Sequence, residues 1–260
     1  MRVAVIGCGP AGLAATHAAV GLGCQVEVFA PKKQTPQRGP IMLHRPIPGI
    51  NTEQPDGYIR QIVIGGSILE YRLKLYGDVN IAINGDILEP GFHTWRVQTA
   101  YDKLWAEYES LIQGWEITPE ELDDIAATYD LTVSTAPAPA LCRSPGWHEF
   151  KSFDVAITMS ASYPDQPPNT VIYNSYRDIQ WVRSSRIFDA DVTEWRKEDA
   201  PEDALTIHKP MSTDCNCHPG VLRTGRMGKW HNETWIDHAY YETRTALVSM
   251  QNQHDWDSVI

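Results

Sequence analysis

Six residues, Gly7-Cys8-Gly9-Pro10-Ala11-Gly12, form a glycine turn between the apolar run Val3 to Ile6 and a small-residue stretch from Leu13 to Val20. The run has the β-branched density of a buried parallel strand, and the stretch after the turn reads as the helix leaving it. Such a turn can hold a pyrophosphate: Gly7 permits the tight bend, Gly9 lets the backbone approach the phosphates, and Gly12 lets the helix pack on the strand. The helix N-terminus then faces the anion. Gln25-Val26-Glu27-Val28-Phe29 supplies a second strand, and with it the context in which this spacing denotes a dinucleotide site rather than a structural turn. The acid that usually ends the second strand and binds the adenosine ribose would fall at Ala30, and Glu27 comes too early to replace it. Lys32 and Lys33 follow, where a cation could meet a 2′-phosphate, although a solvated turn is the simpler reading.

Three further groups could do chemistry. Thr224-Gly225-Arg226-Met227-Gly228 places two glycines around a fixed cation, a turn suited to a diphosphate through backbone N–H groups and a guanidinium. Trp230, beside it, is the tryptophan best placed to stack on a planar ligand. Cys215-Asn216-Cys217-His218, with His231 beyond, has metal-ligand residue types but no matching second pair. No metal site is therefore expected, and the cluster reads as part of the loop entering the glycine-arginine turn. Along Gln180 to Ile187, strand alternation would carry Trp181, Arg183 and Ser185 on one face, with Arg183 suited to a carboxylate or phosphate. His44 and His148 are isolated and read as structural, and Cys8 as a packing residue within the turn.

The elements that must position these groups follow from periodicity. Pro31 to Asp56 is a long Pro- and Gly-rich loop, of a length usually kept for function. Gly57 to Tyr76 has helical spacing interrupted at Gly65-Gly66, and a short strand is expected at Val79 to Ile83. Ala100 to Ile112 predicts an amphipathic helix, and Thr118-Pro119-Glu120-Glu121 opens another running to about Thr128. Asp130 to Pro137 returns as a strand. Asp154 to Met159, Thr170 to Ser175 and Gln180 to Ile187 read as an antiparallel sheet in a separate layer, and Ile236 to Met250 as a closing helix.

With 260 residues and 42% hydrophobic content the chain can bury a proper core, and no stretch approaches a membrane span. The opening residues are already the first strand, so no leader peptide is expected. Five cysteines form an odd set without a disulfide framework, which fits a reducing, cytoplasmic setting. A net charge of −11 argues against stable nucleic-acid binding, even though Arg177, Arg183, Arg186, Arg196 and Lys197 fall in one segment, where a mixed solvated surface is the simpler reading.

Taken together, these residues resemble the two-dinucleotide-fold flavoproteins related to amine oxidases and UDP-galactopyranose mutase. The Pro-Ala in the second half of the first turn is similar to the FAD form of the fingerprint. Val221 to Trp230 resembles the closing strand-turn that holds the flavin pyrophosphate and ribityl chain, followed by the last helix from Ile236. Tyr129 to Pro137 resembles the strand that returns to the nucleotide fold. The resemblance implies a Rossmann-like α/β FAD-binding fold with an inserted α+β substrate lobe containing the antiparallel sheet. It divides the chain into 1–50, 125–145 and 215–260 for FAD, and 51–124 with 146–214 for the substrate. The cofactor residues it implies are Gly7, Gly9, Pro10, Ala11, Gly12, Lys32, Arg38, Thr135, Gly225, Arg226, Gly228 and Trp230, and Arg183, Tyr173 and Trp181 would face the flavin. There is no second glycine-rich strand-turn-helix for NADPH. The activity implied is FAD-dependent oxidation of a C–N bond in a small amine or amino-acid-like substrate, since the cofactor supplies the redox chemistry and the protein the orientation. Two alternatives stay open. One is a lyase or mutase without net redox change, acting on a nucleotide sugar or on an aminoacyl-modified thymine, as in related phage flavoproteins. The other is an FAD-binding protein without turnover. The oligomeric state is left undetermined.

Overall fold

The computed structural model describes residues 1–34, 42–79, 91–160 and 163–257. Arg38, and the expected strand from residue 80 onward, lie outside these residues. Strand β1 (Arg2–Ile6) leads through the glycine turn into helix α1 (Pro10–Gly21) and strand β2 (Gln25–Phe29), as the apolar pattern predicts. Strands β6 (Leu131–Ser134) and β12 (Val221–Arg223) join them, giving a four-stranded parallel sheet in the order β12-β6-β1-β2.

Alternation along β1 gives this sheet two faces. Val3 and Val5 pack with Leu13, Val28, Tyr101, Leu104 and Leu247, whereas Ala4 and Ile6 pack with Phe29, Leu122 and Ile125. Helices α3 (Val97–Tyr108) and α6 (Ile236–Asp257) therefore lie with α1 on the first face, and α4 (Pro119–Thr128) lies on the second. The capping box expected at α4 is present: Thr118 Oγ1 accepts from Glu121 N at 3.3 Å and Thr118 N donates to Glu121 Oε2 at 2.8 Å. The expected division assigned 51–124 to the substrate lobe. Helix α3 and most of α4 instead belong with the parallel sheet, because their apolar faces complete its two cores.

The second layer is an eight-stranded sheet made of β3 (Met42–Leu43), β4 (Gly57–Ile64), β5 (Gly91–Arg96), β7 (Phe150–Thr158), β8 (Thr170–Asn174), β9 (Trp181–Ile187), β10 (Ala190–Arg196) and β11 (Leu205–Thr213). Their order is β11-β7-β10-β9-β8-β4-β5-β3. The sheet is mixed rather than wholly antiparallel, because β4 pairs with β8 in parallel. Residues 57–64 were expected to begin a helix and instead form β4. Ile59, Ile62 and Val63 mimic helical spacing, but the β-branched run satisfies its backbone between two neighbouring strands. Only after Gly65-Gly66 does a helix form, α2 (Ile68–Tyr76), with a Ser67–Glu70 capping box. Helix α2 covers one face of the sheet, where Tyr71 and Leu75 pack with Ile59, Val171, Tyr173 and Val182. Among the described residues no helix is long and apolar enough to cross a membrane.

Candidate functional site

At the first turn, packing constrains the three glycines unequally. Gly7 has φ of +105°, and a Cβ on Gly12 would lie 1.9 Å from the Gly7 carbonyl oxygen, so both are demanded by the chain's own packing. Gly9 is not: its backbone is extended (φ −68°), and a Cβ there meets no described atom within 4 Å. Gly9 caps α1 without a side-chain acceptor, the first turn carries no acidic residue, and Pro10 has no N–H to satisfy. The first helical bond runs from Leu13 N to Gly9 O, leaving the N–H groups of Ala11 and Gly12 without a side-chain cap. Fold packing thus accounts for Gly7 and Gly12 and leaves the approach to Gly9 open.

The second turn sits against the first. Gly225 (φ +69°) would bring a Cβ to 3.0 Å from Ala11 Cβ, and Gly228 packs on the Ser134 carbonyl. Thr135, at the end of β6, donates from Oγ1 to Ile6 O at 3.1 Å and wedges against Gly7. Glu242 on α6 fixes the turn from behind, accepting from Thr224 Oγ1 at 2.6 Å and Lys229 Nζ at 2.5 Å. The segment after Thr224 is a short helix, α5 (Gly225–Lys229), rather than an open turn. Trp230 is buried, donates from its indole N–H to Lys151 O at 2.9 Å, and meets Phe150 edge-on, so it joins α5 to β7. Lys32 is exposed, as a solvated turn requires, while Cys8 is buried against the Pro31 and Lys33 carbonyls, and burial pushes its thiol up.

Where α5 meets the eight-stranded sheet, charge collects. Registry places Gln61 opposite Val171 in β4–β8, Tyr173 opposite Arg183, and Arg183 opposite Glu194, so these polar residues share the face that α2 covers. Arg183 ion-pairs with Glu194 Oε1, and Lys209 Nζ donates to Glu194 Oε2 at 2.6 Å. Tyr173 donates to Gln61 Oε1 at 2.7 Å. Arg226 donates to Asn232 O at 3.1 Å, and among the described residues no carboxylate pairs with it. Among the described residues, Arg183, Lys209 and Arg226 thus share a single paired carboxylate.

The titration of the cluster reflects this surplus. Burial opposes the Arg183 charge, yet Glu194 and the surrounding phenols hold its pKa above the ordinary value; Arg226, also desolvated and repelled by Arg183, is drawn below it. Burial would raise Glu194, but Arg183 and Lys209 keep it low. Lys209 is drawn to about 8, chiefly by desolvation, with Glu194 opposing and Arg183 assisting the fall. Burial lifts Tyr71 well above the usual phenol range. A cleft of about 480 Å³ opens beside the cluster, lined by Tyr76, Phe153, Met211, His231 and Asn232 among others.

The residues expected to form one wall separate. A bulge between Glu194 and Trp195 pairs Trp195 with Trp181, so Trp181 falls on the opposite face from the Arg183–Glu194 pair. The basic segment is largely neutralised: Arg186 makes a bidentate pair with Asp191 at 2.8 and 3.1 Å, Arg196 pairs with Asp199, and Lys197 with Asp154. Glu194 and Lys209 were missed by the sequence reading. Their signal was a charged residue in phase with the apolar Val192 and Ile207 of the same strands. His218 is committed to Asp123 at 2.8 Å and to Leu141 O at 2.7 Å. The Cys215 and Cys217 thiols instead meet Cys142 and His148, which sequence spacing did not connect.

No protein-family model and no curated protein sequence matches the chain. Solved structures do. Reduced UDP-galactopyranose mutase superposes with a TM-score of 0.55 at 11% identity, over 97% of this chain and 96% of that one. The tetrameric form of 2-methyl-3-hydroxypyridine-5-carboxylic acid oxygenase gives 0.51 at 12%, over 94% and 86%. A Klebsiella pneumoniae HpxO variant complexed with FAD gives 0.51 at 12%, over 94% and 79%. The likeness is one of fold: a Rossmann-like parallel sheet joined to a large mixed sheet.

Proposed function

We propose that this chain is an FAD-dependent oxidoreductase that oxidises a C–N bond of a small amino-acid-like substrate. Its fold is shared with FAD-bound HpxO, and the open approach above Gly9 fits a dinucleotide pyrophosphate. The backbone at Gly9, Ala11 and Gly12 would hold the diphosphate, with Gly7 and Thr135 shaping the turn and Gly225 and Gly228 closing it. FAD, when bound, supplies the hydride acceptor.

The observation that carries the substrate class is the surplus of cationic charge where α5 meets the sheet: among the described residues, three cations share the one paired carboxylate of Glu194. A substrate carboxylate would offset half of that surplus, taken by Arg226 and the outer edge of Arg183. Tyr173, locked by Gln61, keeps the Arg183 side of the cluster in place. Lys209, drawn to about 8, still carries its charge at pH 7 and holds Glu194 in place beside Arg183. Tyr76 and Phe153 give the adjoining cleft an apolar wall against water.

Anaerobic addition of an amino-acid and amine panel to FAD-loaded protein tests this reading. Bleaching of the flavin bands by carboxylate-bearing amines, and not by the matching decarboxylated amines, is expected. Bands that persist through the whole panel would overturn it. A mutase is the second reading, because the same surplus charge suits the diphosphate of a nucleotide sugar and UDP-galactopyranose mutase shares the fold. It predicts turnover only after chemical reduction.

A further inference from the structure

We infer that Cys142, His148, Cys215 and Cys217 form a structural zinc site that staples the two sheets together. Their ligand atoms all lie within 4.8 Å of one another. Cys142 Sγ stands 3.7 Å from Cys217 Sγ, and Cys217 Sγ stands 3.4 Å from His148 Nε2. Tetrahedral zinc with ordinary Zn–S and Zn–N bonds places sulfur about 3.8 Å from sulfur and about 3.6 Å from nitrogen. These two spacings match that geometry and the other pairs lie within 4.8 Å, whereas a disulfide needs its sulfurs at about 2.05 Å.

The surroundings are those of a metal site as well. His148 turns Nε2 toward the thiols and Nδ1 toward Asp214, whose carboxylate lies 3.6 Å away and is held by Glu149 N at 2.8 Å. At 3.6 Å this is an electrostatic contact rather than a hydrogen bond, and a carboxylate on that side of a ligating histidine orients its ring and favours the proton on Nδ1. Arg223 donates to Cys215 O at 2.8 Å and approaches Cys215 Sγ at 3.6 Å, which favours the thiolate. Three thiolates and one imidazole close the tetrahedron and leave no position for a substrate, so the role is structural.

Strand pairing explains how ligands so far apart in sequence meet. Phe150 at the start of β7 pairs with Thr213 at the end of β11, so His148 and Cys215 lie symmetrically just beyond that pair. Cys142 follows the short 3-10 turn after β6, and Cys217 precedes β12. The site therefore clamps the two connections β6–β7 and β11–β12, which run between the parallel sheet and the eight-stranded one. Zinc there would fix the base of the segment carrying Gly225 and Arg226.

The test is zinc content by elemental mass spectrometry on untagged full-length protein purified without chelators, together with a thiol titration under native conditions. One zinc per chain is expected, released by a mercurial that blocks thiols, with cobalt-grown protein showing the visible ligand-field bands of tetrahedral thiolate coordination. Asp214→Asn, which leaves all four ligands in place, should weaken zinc about 10- to 100-fold in competition with a chelating dye. Cys217→Ser should lose the metal, and Cys24→Ser should keep it. Metal-free protein that keeps its fold when supplied with zinc and takes none up would overturn the proposal, as would a Cys142–Cys217 disulfide. The cobalt spectrum of wild-type protein decides the matter even if Cys217→Ser fails to fold.

Discussion

Replacing Glu194 by Gln isolates the electrostatic core of the proposed substrate site. Glu194 is only 5% exposed, and it is the single anion facing Arg183 and Lys209, which retain 28% and 25% exposure, with Arg226 close enough to be felt. The amide keeps the shape but removes the charge, turning a surplus of two positive charges into three. Breaking a buried pair by removing one partner costs about 3–5 kcal/mol. Because both cations keep some water, the lower end applies, about 3 kcal/mol, equivalent to a drop in Tm of roughly 6–12 °C for a chain of this size. Urea unfolding at pH 7 measures it. Lys209→Met in the Glu194→Gln background should recover at least half the loss, because it removes one of the cations left unpaired. A Glu194→Gln variant within about 1 kcal/mol of the parent at pH 7 would refute the reasoning.

Three further outcomes follow from the same structure. Lys209 has a folded pKa of about 8 against 10.5 in the unfolded chain, so between those values the unfolded state holds more protons. Its contribution to stability is therefore lowest below pH 8 and rises from pH 8 to 10.5. Lys74, also drawn to about 8, behaves alike, so Lys209→Met should reduce the rise in urea midpoint between pH 7 and 9 without abolishing it. Asp237, fully buried at the start of α6, accepts from Arg45 Nε at 3.1 Å and His44 N at 3.3 Å; Asp237→Ala should cost about 2 kcal/mol by urea unfolding, and a loss near zero would count against that anchor. Gly12→Ala should destabilise the fold by about 3 kcal/mol or more, because the added methyl collides with backbone at Gly7, and a variant as stable as the parent would contradict the packing described for the turn.

What was legible in the sequence was what local chemistry dictates. The glycine turn, the two strands beside it and the Thr118 cap each rest on residues adjacent in the chain, and they form as predicted. Strand β4 was misread because Ile59, Ile62 and Val63 satisfy helical and strand spacing alike, and only sheet neighbours decide between them. The Trp181 face was misassigned because alternation assumes an unbroken pleat, and the bulge opposite Glu194 breaks it. Glu194 and Lys209 stayed hidden because a charge in a strand reads as solvated until the covering helix α2 is in place. The thiol–imidazole cluster was legible only in half: Cys215 and Cys217 stand out in the chain, but Cys142 and His148 reach them through the β7–β11 and β6–β12 pairings, which no local spacing encodes.

The central claim, that the Gly9 turn is built for a dinucleotide and the cofactor is FAD, is tested most directly by flavin retention in Gly9→Val beside the parent chain. The backbone at Gly9 is extended and a Cβ there meets no described atom, so the variant should fold and melt close to the flavin-free parent. The account predicts flavin absorption at one FAD per chain in the parent, and a folded, colourless variant that takes up no added FAD. A parent that binds no FAD, or a variant that keeps it, would contradict the account.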